Sequence, residues 1–256
     1  MEVTRLYLII VLFFISVAKL SSKLIFLDPQ WNSTKILFYG DEIFAMGYAM
    51  PKGFINIFSE GLSNYLQEYE NITWNDVVTV TKPDIQVGFN DLRTTLEEEK
   101  PTILFLQFGY SDINSYVPEV EEDYSYFWYY LEVMVAIAQE YNTSVVVCSS
   151  PLTNDNIYDV SDTHLSLEHL SGIIKSISIM YNSIFLDIFS ELHYFIDKYN
   201  VHRFDHHVVT YNGKILNETG NKLIAALLLE LFGITPKDLK YDAIYRSNGL
   251  ISSSYN

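Results

Sequence analysis

Two acidic residues follow predicted β-strands, at positions where the side chains of α/β proteins commonly do chemistry. Glu42 comes after the run Phe38-Tyr39-Gly40-Asp41, and Asp112 comes after the apolar run 102–108. Ligands bind at the carboxyl ends of the strands in open α/β sheets, so both carboxylates would face one cleft. Two carboxylates about 5–10 Å apart can serve as the acid and the base of glycoside hydrolysis. Glu42 and Asp112 are therefore one candidate catalytic pair.

A structural role for the same two residues is the alternative. Asp112 would then accept hydrogen bonds from the backbone of its own loop, and Glu42 would pair with a cation, for which Lys214 is the predicted partner. Buried carboxylates are usually held by hydrogen-bond donors or by opposite charges, so the sequence favours this structural role.

A histidine-rich segment, His202-Arg-Phe-Asp205-His206-His207, is the only cluster in the sequence with the character of a metal site. Structural zinc sites use four ligands, and no Cys or Glu lies close enough in the sequence to complete one. The sequence therefore predicts neither a metal nor another cofactor. Asp205 with His206 or His207 could still act as a general base and its orienting partner, with Ser111 as a displaced nucleophile.

Apolar runs alternate with helical patterns along the chain, which is typical of βαβ units and a parallel sheet. The predicted strands are short and unbroken, as expected for strands covered on both faces: Lys35–Tyr39, Val77–Val80, Thr102–Phe108, Ser144–Cys148 and Ser183–Leu186. The predicted helices are Phe54–Glu68, Asn90–Glu99, Asp123–Glu140, Ser166–Met180, Ile188–Lys198 and Asn217–Phe232. The predicted fold is a flavodoxin-like α/β fold, a three-layer α/β/α sandwich with a mainly parallel five-stranded sheet.

The helix that begins at Asp123 carries many aromatic residues on more than one face. Tyr124, Phe127 and Leu131 begin a stripe at helical spacing that would pack on the sheet. Tyr126, Tyr129, Tyr130 and Val133 point elsewhere, and they would either cover neighbouring loops or form an exposed patch for a partner or a sugar.

The length of 256 residues suits one domain between two terminal segments. Residues 1–18 are a predicted secretory signal peptide, because Arg5 precedes an apolar run and Ser16-Val17-Ala18 offers a cleavage site. A bilayer span needs about 20 residues, so a short membrane anchor is the less favoured alternative and the mature chain has no predicted span. Residues 19–234 are the predicted domain, and residues 235–256 lose the apolar period and form a predicted loose tail.

Four glycosylation sequons support passage through a secretory pathway: Asn32, Asn71, Asn142 and Asn217. With the signal peptide they predict a secreted protein or one of the secretory-pathway lumen. Cys148 is the only cysteine, so no intrachain disulfide can form, and its apolar surroundings predict a buried, inert thiol. The net charge of −16 repels phosphate backbones, so nucleic acid is not an expected partner.

Several blocks of the chain resemble, in order, those of the SGNH/GDSL hydrolases, a family of esterases and lipases. The run 35–41 resembles the first block of the family, Thr102–Asp112 the third, and 212–225 the last. The run Val145–Leu152 resembles the strand and Pro-containing loop that lie between them. The resemblance extends from Lys35 to about Ile234 and is greatest to small esterases of the isoamyl-acetate type.

The catalytic residues that this resemblance implies are replaced in the present chain. The nucleophilic Ser of the family corresponds to Glu42, the oxyanion-binding Asn to Ser111, and the triad Asp and His to Asn212 and Ile215. A carboxylate has no hydroxyl to activate, and a triad that lacks one member keeps only a residual rate. The segment 81–87 also lacks the Gly that serves the oxyanion hole in the second block. The resemblance therefore implies a degenerate active site.

The sequence thus predicts a secreted pseudo-esterase that binds an unknown small ligand or protein partner at the carboxyl edge of the sheet or through the aromatic surface. The alternative is an active hydrolase of esters or of carbohydrate acetyl groups, with rearranged catalytic residues: Glu42, Asp112, Ser111 and His206 or His207. A third interpretation is a structural surface glycoprotein whose cleft is filled by Tyr and Phe side chains.

Overall fold

The computed structural model describes residues 33–74, 76–115, 124–152, 157, 162–203 and 206–235. Within them lie the strands β1 (Ile36–Gly40), β2 (Val77–Thr81), β3 (Ile103–Gln107), β4 (Ser144–Cys148) and β5 (Ile184–Leu186). The helices are α1 (Glu42–Ala49), α2 (Phe54–Tyr65), α3 (Ile85–Glu99), α4 (Tyr110–Ser115), α5 (Ser125–Glu140), α6 (Asp162–Met180), α7 (Ile188–Tyr199) and α8 (Glu218–Glu230). A π-helical turn, Leu66–Glu70, continues α2. Four predicted features lie outside the described residues: the signal peptide at 1–18, Asn32, Asp205 and the tail after residue 235.

The five strands lie parallel in one sheet, in the order β2-β1-β3-β4-β5. Each strand begins and ends within one residue of its predicted bounds, so the predicted parallel sheet is confirmed. Gly40 at the end of β1 lies level with Thr81 and Gln107 of its two neighbours. The carboxyl ends of β1 and β3 therefore lie side by side. The candidate residues Glu42 and Asp112 follow these two strand ends. Among the described residues, no helix has the length and apolar character needed to cross a membrane.

Helices cover both faces of the sheet and complete the predicted three-layer sandwich. Successive strand residues point to opposite faces, so each strand contributes to two cores. Phe38 stacks on Phe105, with ring centroids 4.7 Å apart, in the core beneath α1, α2, α7 and α8. Leu37 belongs to the second core, beneath α3, α5 and α6. Cys148 is fully buried in the first core, and this burial raises the pKa of its thiol, as expected for an unreactive cysteine.

Some helices differ from the predicted ones at their starts. The helix α3 begins at Ile85 rather than at Asn90, because the Asp84 side chain accepts a hydrogen bond from the Val87 N–H at 2.8 Å and caps the helix. The helix α6 begins at Asp162 rather than at Ser166. The short helices α1 and α4 were missed in the sequence, since helices of this length depend on their caps and tertiary contacts more than on an apolar stripe.

The aromatic residues of α5 divide as their spacing predicts. Phe127 and Leu131 are buried in the second core, and Tyr124 stacks on the His169 ring of α6 at 4.9 Å. Tyr129 and the half-buried Tyr130 pack on Phe89 of α3, at 6.3 and 5.0 Å. Trp128 lines a groove between α5 and α6. These side chains therefore cover neighbouring helices, whereas the sequence predicted that they cover loops or form an exposed patch.

The start of α8 is joined to the start of α2 by one buried amide, that of Asn221. Gly53, which precedes α2, has no side chain to cap the helix. Asn221 provides the cap instead, since its Oδ1 accepts from the Phe54 N–H at 2.9 Å. Its Nδ2 donates to the carbonyls of Leu216 and Asn217, at 3.1 and 2.9 Å. This amide therefore fixes the loop before α8 against the carboxyl edge of the sheet.

We predict that Asn221→Ala lowers the free energy of unfolding by about 2–3 kcal/mol, because a buried N–H and a buried carbonyl lose their partner. Urea denaturation monitored by circular dichroism measures the loss. Asn90→Ala is the matched control, since Asn90 is exposed on α3 and the same atoms are removed there. An equal, small effect of both changes would show that the Asn221 amide does not hold the two helices together.

Candidate functional site

The carboxyl ends of β1 and β3 are joined by the side chain of Asp41, which is fully buried. Its Oδ1 accepts from the Ile43 N–H at 3.0 Å and so caps α1. Its Oδ2 accepts from the backbone N–H groups of Tyr110 and Ser111 in α4, at 2.9 and 3.1 Å. One carboxylate thus binds the N-termini of two helices, where the backbone N–H groups need acceptors and favour negative charge.

Gln107 lies beside this carboxylate at the end of β3. Its side chain is fully buried beside Asp41, and its Nε2 donates to Ser150 Oγ at 3.0 Å. Its Oε1 has no hydrogen-bond partner among the described residues. Burial raises the pKa of Asp41 to about 7. The backbone N–H groups that donate to its carboxylate stabilise the charged form and lower the pKa, but this effect is smaller than that of burial. The strand end is therefore a dry polar network rather than an open site.

Asp112 is held by the backbone in the same way. Its Oδ2 accepts from the Gly109 N–H at 3.0 Å, and its Oδ1 accepts from the Ile85 N–H at 3.1 Å, at the start of α3. Burial raises the pKa of Asp112 to about 6. Both carboxylate oxygens face backbone donors, so this geometry matches the structural role and gives no acid–base pair with Glu42.

Glu42 is the first residue of α1 and its side chain is exposed. The predicted ion pair between Glu42 and Lys214 is not formed, which corrects that expectation. Lys214 lies on an exposed loop whose backbone is folded onto Asn212, and within the described part of the chain Glu42 has no ion-pair partner. The negative charge of Glu42 is acceptable in solvent because it lies at the positive end of the α1 dipole.

Tyr110 and Ser111 begin α4, which follows β3, the strand next to β1. Tyr110 is almost fully buried, and burial, with smaller contributions from the charges of Glu42 and Asp41, raises its pKa to about 12. Ser111 is half-buried and its backbone N–H is already used by Asp41. The preceding Gly109 has φ of +121°, a conformation that residues with a Cβ rarely adopt. Gly109 and Asp112 thus close the turn after β3, and Ser111 and Glu42 lie just beyond the ends of neighbouring strands.

The positions that the sequence resemblance assigns to the triad Asp and His, Asn212 and Ile215, lie in the loop before α8. Asn212 Oδ1 accepts from the backbone N–H groups of Lys214 and Ile215, at 3.2 and 3.0 Å, which closes an Asx turn. Ile215 is 38% exposed and carries no group that can take a proton. Asn217 then caps α8 by accepting from the Gly220 N–H at 3.1 Å. Neither the Asn212 amide nor the Ile215 side chain can act as a base.

The adjacent histidines are exposed side chains of the same loop. The rings of His206 and His207 lie 3.9 Å apart, and the backbone of His207 is fixed by hydrogen bonds to Thr210 and Asn217. His202 is also exposed. The described residues contain no group of three or more His, Cys, Asp or Glu side chains that could hold a metal ion.

The sequence analysis did not single out Asp41 and Gln107, although they organise the site. Both lie at the ends of apolar strands, and a charged or amide side chain that closes such a strand is the signal that points to a buried polar network. In the segment 81–87, the Lys82 backbone N–H donates to the Gly40 carbonyl at 2.8 Å, and the Lys82 side chain pairs with Asp91 at 2.7 Å.

The fold is similar to that of several solved esterases. An acetyl xylan esterase has a TM-score of 0.68 and 19% identity, over 77% of this chain and 98% of its own. A variant acetyl xylan esterase from Geobacillus stearothermophilus gives 0.61 and 14%, over 80% and 96% of the two chains. The lipase/acylhydrolase from Enterococcus faecalis gives 0.59 and 17%, over 78% and 96%.

Two further structures are catalytic mutants of the Geobacillus enzyme, one with a serine and one with a histidine replaced by alanine. Comparison with protein-family models and with curated protein sequences gave no match. At these identities the likeness shows the fold alone. It is the fold of esterases and acylhydrolases of the SGNH type, which confirms the fold implied by the sequence resemblance.

We predict that Asp41 makes the stability fall as the pH rises. Its pKa is raised from 3.8 to about 7 in the folded protein, so its contribution is complete below pH 3.8 and is lost as the pH rises through about 7. The difference in unfolding free energy between the wild type and Asp41→Asn should therefore shrink over this interval. Urea denaturation at several pH values measures it, with the exposed Asp76→Asn as control. A difference that stays constant with pH would contradict the raised pKa.

Proposed function

We propose that this chain is a non-catalytic member of the SGNH-type hydrolase fold, which binds a ligand or partner at the carboxyl edge of its sheet. The observation that carries the proposal is Glu42. Its exposed carboxylate stands at the start of α1, directly after the end of β1, where the resemblance places a nucleophilic serine. Attack on an ester carbonyl needs a hydroxyl or thiol that a neighbouring base can deprotonate, and Glu42 offers neither.

The loop before α8 supports the same conclusion. A triad requires an imidazole that takes the proton of the nucleophile, and a carboxylate that orients the imidazole. The corresponding positions hold the aliphatic Ile215 and the amide of Asn212, whose Oδ1 already accepts two backbone hydrogen bonds. In the Geobacillus esterase, replacement of one serine or one histidine defines a catalytic mutant. The present chain has Glu42 and Ile215 at the positions that the resemblance assigns to the serine and the histidine.

An active site built on other residues has weaker support. Asp112 accepts two backbone hydrogen bonds and is buried, so it does not face a substrate as a partner of Glu42. The remaining candidates are the Ser111 hydroxyl and the exposed His206 and His207. General acid–base catalysis requires such groups to lie within hydrogen-bond distance of one another. Ester hydrolysis by the wild type and by Ser111→Ala tests whether they act together.

The proposed ligand site lies around the exposed Glu42 and the half-buried Ser111. An exposed carboxylate at the strand edge can accept hydrogen bonds from ligand hydroxyls or pair with an ammonium group, in place of attacking a carbonyl. The buried Asp41 fixes the backbone on both sides of this site. The former catalytic edge would therefore serve for recognition.

The proposal includes secretion and glycosylation, which rest on the signal peptide and the sequons. Asn71 and Asn142 are exposed, each in a left-handed turn at the end of a helical segment, so a glycan on either would extend into solvent. Asn217 is 8% exposed, and its Nδ2 donates to the carbonyls of His207 and Thr210, at 3.1 and 3.2 Å. A glycan on that nitrogen removes one of its two hydrogens and needs space that the fold does not provide.

We predict that the purified mature chain hydrolyses short-chain nitrophenyl esters no faster than the buffer does. The physical reason is the absence of an activated hydroxyl at residue 42. The rate is measured for the wild type and for Ser111→Ala, with a catalytically active esterase as a positive control. Turnover by the wild type that Ser111→Ala abolishes would refute the proposal and identify Ser111 as a relocated nucleophile.

We also predict glycans on Asn71 and Asn142 and an unmodified Asn217 in the folded protein secreted from eukaryotic cells. Glycopeptide mass spectrometry measures the occupancy of each sequon. The variants Asn71→Gln and Asn142→Gln, which remove one exposed acceptor each, should each lose the mass of one glycan. Full occupancy of Asn217 in protein that unfolds cooperatively would contradict the buried hydrogen bonds described for its side chain.

A further inference from the structure

The outer face of α6 carries few charges for a surface helix. The α6 strip, as we name it, consists of exposed residues near the middle of this face: Leu165, Gly172, Ser176, Ile179 and Met180. Leu165, Ile179 and Met180 are 52%, 72% and 58% exposed. Residues at these spacings share one side of a helix. A solvated helix normally presents charged residues there, so the α6 strip has the composition of a contact surface.

Gly172 is at the middle of the α6 strip, and nothing in the described part of the chain requires a glycine there. A Cβ placed on Gly172 would meet no atom within 4 Å. Glycine in a helix interior costs about 1 kcal/mol relative to alanine. The absent side chain is useful only if another backbone approaches the helix closely at this point, as happens where two helices cross.

We propose that the α6 strip is the interface of a homodimer, in which two copies of α6 cross antiparallel at Gly172. The arrangement of the residues around Gly172 carries this inference. Leu165 and Ile179 lie seven residues before and after Gly172. A two-fold axis beside Gly172 and perpendicular to the helix therefore places Leu165 of each copy against Ile179 of the other. Such a patch is complementary to itself, which is what an isologous dimer requires.

The charges beside the α6 strip agree with the same symmetry. Glu168 and Lys175 are seven residues apart, or nearly two turns, and so lie on one flank of α6. Glu168 comes four residues before Gly172, and Lys175 comes three residues after it. The two-fold axis turns Glu168 of one copy to the same side as Lys175 of the other. Because a helix rises about 1.5 Å per residue, the two residues then differ by only about 1.5 Å in position along the helix axis. Each dimer would thus contain two such ion pairs.

A groove alongside the α6 strip gives room for side chains of the second copy. It lies between α5 and α6, has a volume of about 980 Å³, and is lined by Tyr124, Trp128 and Ile173 among others. Apolar side chains that enter the groove would add to the buried area. The α6 strip itself offers fewer residues than the roughly 20–30 per side of a standard interface, so the dimer is expected to be weak and dependent on concentration.

The oligomeric state of the full mature chain tests the proposal. Sedimentation velocity over micromolar to millimolar concentrations should show a reversible shift from monomer to dimer for the wild type. Gly172→Glu places two like charges together at the crossing and should raise the dissociation constant at least about tenfold. The monomer should tolerate this change, because Glu is a better helix former than Gly and the position is open. Thr94→Glu adds the same charge to an exposed position of α3 and should leave the dimer unchanged.

A charge exchange separates the proposed geometry from a general effect of charge. Glu168→Lys should weaken the dimer several-fold, since it sets lysines against each other across the two-fold axis. The double variant Glu168→Lys/Lys175→Glu should restore the wild-type dissociation constant, because the cross-pairs form again with reversed sign. A wild type that stays monomeric at every concentration would overturn the proposal, as would a dimer that is indifferent to Gly172→Glu. Neither result depends on whether the Glu42 site is catalytic.

Discussion

One buried carboxylate holds together the two strand ends on which the site is built. Asp41 closes β1, and its oxygens accept backbone N–H groups at the starts of both α1 and α4. Because α1 begins with Glu42 and α4 contains Ser111, the distance between these two residues depends on Asp41. The helix N-termini that Asp41 caps favour a negative charge in this fully buried place, since their backbone N–H groups donate to its carboxylate.

The positions that hold the loops match the resemblance, whereas the exposed positions depart from it. A Cβ on Gly40 would lie 2.2 Å from the Gln107 carbonyl oxygen, and Gly109 has positive φ, so the backbone limits both positions to glycine. Asp112 bridges two elements by its hydrogen bonds. By contrast, Glu42 and Ile215 face solvent, where a change of side chain alters chemistry without loss of a core contact. The proposed loss of catalytic residues therefore costs the fold no core contact.

The alternation of apolar runs was sufficient to predict all five described strands, because a strand buried on both faces is apolar throughout. The start of α3 and the existence of α1 and α4 could not be read from periodicity. Those features depend on the Asp84 and Asp41 caps, which act through a few hydrogen bonds.

The structural role of Asp112 was foreseen as one alternative. The predicted ion pair between Glu42 and Lys214 was wrong. The Asx turn at Asn212 fixes the backbone of Lys214, and this turn was not predicted from the sequence. The roles of Asp41 and Gln107 required the register of β1 and β3.

Covalent trapping most directly tests the central proposal, that the carboxyl edge of the sheet has no activated nucleophile. The mature chain is exposed to an excess of a fluorophosphonate, and its intact mass is measured with and without prior unfolding. We predict that the intact mass of the folded chain stays unchanged after exposure to the fluorophosphonate. Stoichiometric addition of one phosphonyl group to the folded chain only, mapped to a residue at the ends of β1 or β3, would contradict it and show that an activated hydroxyl remains at this site.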